Sequence, residues 1–379
     1  MGAFIFTACS HDSPVDPNGS AILPTFTKLS ANGNVYNVLS AIVSVHTRDA
    51  AAVSVEFGDD SLFKRHTPVV PVNGDSARLP VLGLETNRSY AMRVVAISRT
   101  GHQAKSTPFS FNTQKLPDDL PRLSVLSSRS PADDFVLLGF TGSEFANKFY
   151  ALILDNSGRV VWYRRFPSAI ADFQKQANGR YTVFSSDDGS PLHFYELDVL
   201  GSITRKFRAV NGSDTGPHEL RLLDDSYCLF GIQFHEMNLS ALGGAQNARN
   251  RCTVVEYHRG SAQALLWNPL EHFQVTDAAP HVSVSALNIN PWHGNAIEID
   301  RDGNLLVSFR NSDEITKINS RTGEIIWRLR GKKNQFTFVN DPLRGFSHQH
   351  GIRRLQNGNV ILFDNGNLHS PPESRAVEL

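Results

Sequence analysis

The chain has 379 residues, 37 Lys+Arg against 37 Asp+Glu, and a formal net charge of +0. It is too long for a single hydrophobic core, and its balanced charge supplies none of the basic field on which nucleic-acid or anionic-membrane binding depends. With 40% hydrophobic and 20% charged residues, 27 Gly and 19 Pro, it reads as a globular protein of many short elements, which excludes a disordered chain or a coiled coil. Its apolar runs are short, rich in Val, Ile, Phe and Tyr, and bounded by Asn-Gly, Asp-Gly and Ser-Gly turns, the pattern of an all-β protein. No run reaches the roughly 18 apolar residues of a membrane-spanning helix.

At the N-terminus, Gly2-Ala3-Phe4-Ile5-Phe6-Thr7-Ala8-Cys9 precedes a polar stretch beginning Ser10-His11-Asp12. This resembles the end of a bacterial lipoprotein signal, with a small residue before the Cys that is lipidated. Residues 1–19 are therefore read as a signal remnant and linker, Cys9 as the lipidation site, and the protein as exported to the cell envelope, touching membrane only through that anchor. The other two of the three cysteines, Cys228 and Cys252, lie in strand-like runs assigned to neighbouring sheets, either bridged or as two unrelated buried thiols.

From 20 to 115 alternating patterns predict strands at Asn37–His46, Ala52–Phe57, Ala77–Leu82, Tyr90–Ser98 and Pro108–Asn112. Leu84-Glu85-Thr86-Asn87-Arg88-Ser89-Tyr90 resembles the tyrosine corner of a fibronectin type III sandwich, where a Tyr hydroxyl folds back onto the preceding loop. Leu116-Pro117-Asp118-Asp119-Leu120-Pro121 reads as a stiff linker.

Beyond it the sequence repeats. A turn and an aromatic-ending strand recur, ending at Trp162, Phe207, Trp267 and Trp327, with steps of 45, 60 and 60 residues. Several short strands per unit at this spacing predict a β-propeller over 122–379, its aromatics packing blade on blade. About four units fit, where a closed propeller commonly has six or more, so the last blades are expected to be missing. A second signature places His218 in Pro217-His218-Glu219-Leu220, His293 in Trp292-His293-Gly294-Asn295 and His350 in Gln349-His350-Gly351-Ile352, with Asp172-Phe173-Gln174 at the corresponding place of the first repeat. Innermost blade strands line the central channel, so three histidines at one phase converge. His193, His235, His281 and His348 are read as structural.

These motifs, with Leu306-Val307-Ser308-Phe309-Arg310, the run Ile318 to Trp327, and Leu362-Phe363-Asp364-Asn365-Gly366, are together similar to the arylsulfotransferase family. The resemblance covers about Leu120 to the end. It implies a six-bladed exported propeller enzyme that moves a sulfuryl group from a phenolic sulfate ester to another phenol, with no nucleotide sulfate donor and no cofactor. It also implies His350 as the nucleophile that becomes sulfohistidine, with His218, His293 and Arg310 assisting and Asn295 binding substrate. After the Gln-His pair this chain has Gly351, where the family has an acidic or small polar residue.

The residues suit that chemistry. Sulfuryl transfer, like phosphoryl transfer, needs in-line positioning and fixed positive donors for the equatorial oxygens. Arg310 offers a permanently charged planar fork, and a neutral imidazole is a competent nucleophile. His218 or His293 can donate to the bridging oxygen or take the acceptor's proton. Two other readings use the same residues: a metal-dependent propeller lyase or hydrolase with His218, His293 and His350 as ligands, and a non-catalytic binding or decayed surface propeller.

Overall fold

The computed structural model describes residues 22–121, 123–125, 135–140, 148–186, 189, 191–210, 212–223 and 225–379. The lipoprotein-like segment with Cys9 lies outside the described residues. The chain divides into two compact units, Met1–Leu138 with Leu152–Arg165 and Val199–Ser202, and Gly139–Ala151 with Phe166–Asp198 and Ile203–Leu379.

The first unit holds an antiparallel sandwich. In one sheet Ala41–Arg48 lies between Thr25–Gly33 and Ser76–Val81; in the other Ala52–Gly58 pairs with Ser89–Ile97, flanked by four shorter strands. Period-2 alternation does the sorting: Ala41, Val43 and Val45 point inward and pack with Val53, Val55, Leu79, Tyr90, Met92 and Val94. The Tyr90 ring is buried and its hydroxyl accepts a hydrogen bond from the Glu85 N–H at 2.8 Å, the tyrosine-corner contact. The strand expected from Asn37 begins only at Ala41. Asn37 forms an Asx turn instead, its Oδ1 accepting the Leu39 N–H at 3.0 Å. The edge strand Thr25–Gly33 has no clean alternation and was not expected. Within the same unit the Asn34 amide donates to Leu200 O at 2.7 Å and the Val38 N–H to the Tyr163 hydroxyl at 3.2 Å.

In the second unit successive antiparallel sheets each run as a meander. The first consists of Ala171–Lys175, Tyr181–Ser185, His193–Leu197 and Ile203–Phe207. Asp214–Leu222, Ser226–Met237, Ala248–Arg259 and Ala262–Trp267 follow, with Asn288–Ile289 added alongside the third strand. Then come Gly294–Ile299, Leu305–Phe309, Glu314–Ile318 and Ile325–Arg330, and lastly His350–Arg354, Val360–Asp364 and Arg375–Glu378. A further sheet consists of Val136–Gly139, Phe149–Leu154 and Val160–Phe166. Among the described residues, the expectation of about four repeats thus corresponds to three sheets of four or more strands and two of three strands.

The repeat is visible in its turns. After the first strand of three sheets an Asx-Gly pair closes the hairpin with the same bonds: Gly179 N–H to Gln176 O at 2.9 Å, Gly303 to Asp300 at 2.8 Å, Gly358 to Leu355 at 3.1 Å. All three glycines have positive φ (79°, 77° and 99°), a conformation that penalises any side chain. The last-strand tryptophans link neighbours as expected of packing aromatics: Trp162 Nε1 donates to Val199 O at 3.0 Å and Trp267 Nε1 to Gly323 O at 2.9 Å.

First strands of consecutive sheets stand side by side. The Gln174 amide donates to Glu219 Oε1 at 2.9 Å, His218 meets His293, and the Asn295 amide donates to Gln349 O at 2.6 Å. Arg353 on the last of them returns to Glu219 with Nη1–Oε2 at 2.8 Å. Blades whose first strands face a common axis make a β-propeller. Cys228 and Cys252 occupy adjacent strands of one sheet rather than neighbouring sheets. Cys228 lies opposite Tyr257 and Cys252 opposite Gln233, and both are free thiols. Burial raises both thiol pKa values, that of Cys252 to about 12.

Candidate active site

The first strands of four sheets break their register: between Ala171 and Gln174, Thr215 and Leu220, Gly294 and Ala296, and His350 and Arg353. Bulges re-aim side chains, and here they bring His218, His293 and His350 together. The departure at Gly351 has a conformational reason, since its φ is +66°, inside the last of these bulges. His348 is not on a strand at all. Its φ of +52° takes it out of the strand alternation.

The His218 and His293 Nε2 atoms are 2.9 Å apart with ring centroids 4.9 Å apart, and the His350 ring centroid lies 6.3 Å from that of His218. All three are partly exposed. His350 Nδ1 faces two oxygens, His348 O at 3.0 Å and Asn365 Oδ1 at 2.6 Å. A backbone carbonyl can only accept, so Nδ1 carries a proton, and it is Nε2 that holds the electron pair in the neutral ring.

Burial lowers the pKa of His218 to about 4, reinforced by His350, Arg251 and Arg310; burial lowers that of His293 to about 3, reinforced by His218, Arg251, Arg310 and His350. Both are neutral at pH 7. Arg310 begins a short 3-10 turn after its strand, its N–H donates to His293 O at 2.8 Å and its Nη1 to Asn311 Oδ1 at 2.7 Å. The backbone contact sets Arg310 beside His293, and its charge helps to lower the pKa of His218, His293 and His348.

Asn295 reaches the motif from beneath. It is 4% exposed, and its amide donates to the carbonyl of Gln349, the residue before His350. Gln349 is fully buried and donates to Ser308 Oγ at 3.0 Å and Glu314 O at 3.1 Å. The pair fixes the backbone that carries His350, a contact made to protein rather than into the channel. Below lies a buried ionic floor: Glu219 pairs with Arg353, and Gln174 bridges Glu219 and Asp172 Oδ2 at 2.9 and 2.8 Å. Burial and the Glu219 carboxylate hold Asp172 well above the usual carboxylate range.

Sequence reading missed four contributors. Arg251 and Asn290 support His293, and Asn365 holds His350, although Asn365 stood within a quoted motif. His281 packs edge-on against His348 with centroids 4.3 Å apart, and its Nε2 lies 3.3 Å from Asn311 Oδ1. Arg251 and Asn290 fall outside the repeated phase, so spacing carries no signal for them. Among the described residues no group of three His, Cys, Asp or Glu side chains is placed to hold a metal ion.

The chain is similar to a Bacteroides caccae protein of unknown function (13% identity over 65% of this chain and 73% of that one, TM-score 0.38). It is also similar to virginiamycin B lyase from Staphylococcus aureus (11%, 89% and 96%, 0.31) and to a Pseudomonas brassicacearum lignostilbene dioxygenase (10%, 93% and 88%, 0.30). None of the three lends its function to this chain, and no curated protein matches it. The family model "Arylsulfotransferase (ASST)" matches residues 111–377, a span that contains every histidine and arginine of the cluster. The chain belongs to the arylsulfotransferase family.

Proposed function

We propose that this protein transfers a sulfuryl group from an aryl sulfate ester to a phenolic acceptor through a sulfohistidine at His350, without a nucleotide donor. One observation carries the reading: His348 O and Asn365 Oδ1 occupy the Nδ1 side of His350, which leaves Nε2 as the nucleophilic nitrogen. In the first step the Nε2–S bond forms and the aryl O–S bond breaks, its electron pair leaving on the phenolate. In the second, the acceptor oxygen forms its bond to sulfur, the N–S bond breaks, and the acceptor's proton passes to a histidine neighbour. Arg310 supplies fixed positive charge for the sulfuryl oxygens. Asn295 serves the site by holding Gln349 in place.

The rest of the reading is organisational. Residues 20–115 form a fibronectin type III-like module on the strength of the Tyr90 corner, 122–379 the catalytic propeller, and Cys9 anchors an exported protein to the envelope. His350→Ala tests the chemistry: turnover of a chromogenic aryl sulfate falls by about a thousandfold or more, whereas retained turnover removes His350 as the nucleophile.

A further inference from the structure

His293 is held from behind by a pair of residues that the family resemblance does not assign. Only one orientation of the Asn290 amide satisfies its surroundings. Its nitrogen donates to Arg251 O at 3.1 Å, and its oxygen accepts from Arg251 Nη1 at 3.2 Å and from His293 Nδ1 at 2.9 Å. The reverse orientation sets oxygen against oxygen and N–H against N–H. Asn290 is held in turn by its own carbonyl, which accepts from Asn311 Nδ2 at 2.7 Å.

We propose that Arg251 and Asn290 are positioning residues that fix the proton of His293 on Nδ1, and thereby make His218 a proton acceptor at Nδ1 rather than a donor toward substrate. The step follows from counting protons. A neutral His293 with Nδ1–H has a bare Nε2. The two Nε2 atoms at 2.9 Å form a hydrogen bond only if one proton lies between them, so His218 supplies it and keeps Nδ1 unprotonated. A second proton on the pair is opposed by the charges that face it, Arg251 from one strand and Arg310 from the next blade, with His350 alongside. The role of His218 as acceptor of the phenol's proton rests on the sulfuryl-transfer reading; the tautomer assignment does not.

NMR of the full chain labelled with 15N-histidine tests this directly, because long-range couplings report which ring nitrogen carries the proton. In the wild type His293 is expected as the Nδ1–H form and His218 as the Nε2–H form. Asn290→Ala removes the acceptor and is expected to shift His218, which Asn290 does not touch, toward Nδ1–H. Arg251→Lys loosens the amide and shifts it partially, and Asn290→Asp keeps the wild-type tautomers. On an aryl sulfate, kcat/KM falls about tenfold or more in Asn290→Ala and by less in Asn290→Asp, which keeps an acceptor for His293 Nδ1 but loses the donor to Arg251 O, and whose pH profile moves to higher pH. A wild-type His293 protonated on Nε2 overturns the proposal, as does a His218 tautomer unchanged in both Asn290→Ala and Arg251→Lys. Absence of wild-type turnover, with the tautomers as expected, overturns the sulfuryl-transfer reading alone.

Discussion

His350 owes its bare nitrogen to a residue two positions before it: the carbonyl of His348 accepts the Nδ1 proton at 3.0 Å. That contact exists because His348 takes a positive φ of 52°, which folds the backbone under the ring that follows. The second acceptor, Asn365, closes on the same proton from just past the end of the neighbouring strand Val360–Asp364. Replacing Asn365 by Leu leaves the carbonyl in place, so the tautomer persists while the ring loses its second restraint. Turnover on an aryl sulfate should fall by about tenfold, against the near-complete loss in His350→Ala, and steady-state kinetics on the two variants separates them.

Asn295 and Gln349 make a prediction about stability. The Asn295 amide is buried and donates to Gln349 O at 2.6 Å. Asn295→Ala leaves that carbonyl only the long 3.5 Å contact from Ser308 Oγ and should cost about 1–3 kcal/mol in denaturant unfolding. Because the carbonyl precedes His350, kcat should fall with KM little changed; a raised KM at constant kcat would place Asn295 against substrate instead.

Histidine burial fixes the sign of the pH dependence. His218 and His293 have folded pKa values of about 4 and about 3, below the ordinary 6.5. Between those limits the unfolded chain binds more protons than the folded one, so their contribution makes stability fall as pH drops from about 6.5 toward 4 and level off below about 3. Replacing both by Gln should flatten that part of the curve, measured by denaturant midpoints across pH. An unchanged slope would show that neither histidine is held neutral.

Three histidines were legible as one site because the repeat places them at a shared phase and the bulges preserve it. The sandwich was legible for the same kind of reason: alternation in Ala41–Arg48 and Ser89–Ile97 answers directly to burial. What stayed hidden depends on contacts that no period encodes. Arg251 sits mid-strand and Asn290 in a connection between blades, each meeting His293 only after folding. His348 lies outside any strand and has a positive φ, so the meeting of its carbonyl with the His350 ring is one that no strand periodicity encodes. Asn295 was read as a substrate-binding residue, and sequence cannot tell whether an amide faces the channel or the backbone beneath it.

The ionic floor under the cluster predicts a stability effect. Glu219 is 1% exposed and Arg353 binds it through both terminal nitrogens, at 2.8 and 3.1 Å. Glu219→Gln strands part of the Arg353 charge and should cost about 2–4 kcal/mol. Asp172, raised first by burial and then by Glu219, loses the second of these and should titrate closer to an ordinary carboxylate, which carboxyl-resolved NMR would read.

The central claim is that His350 Nε2 takes the sulfuryl group. Folded protein mixed with a chromogenic aryl sulfate, quenched and examined by intact and peptide mass spectrometry, should carry one sulfuryl adduct on the peptide containing His350, absent from His350→Ala. An adduct on another histidine, or none on folded protein that still releases the phenol, would contradict the account.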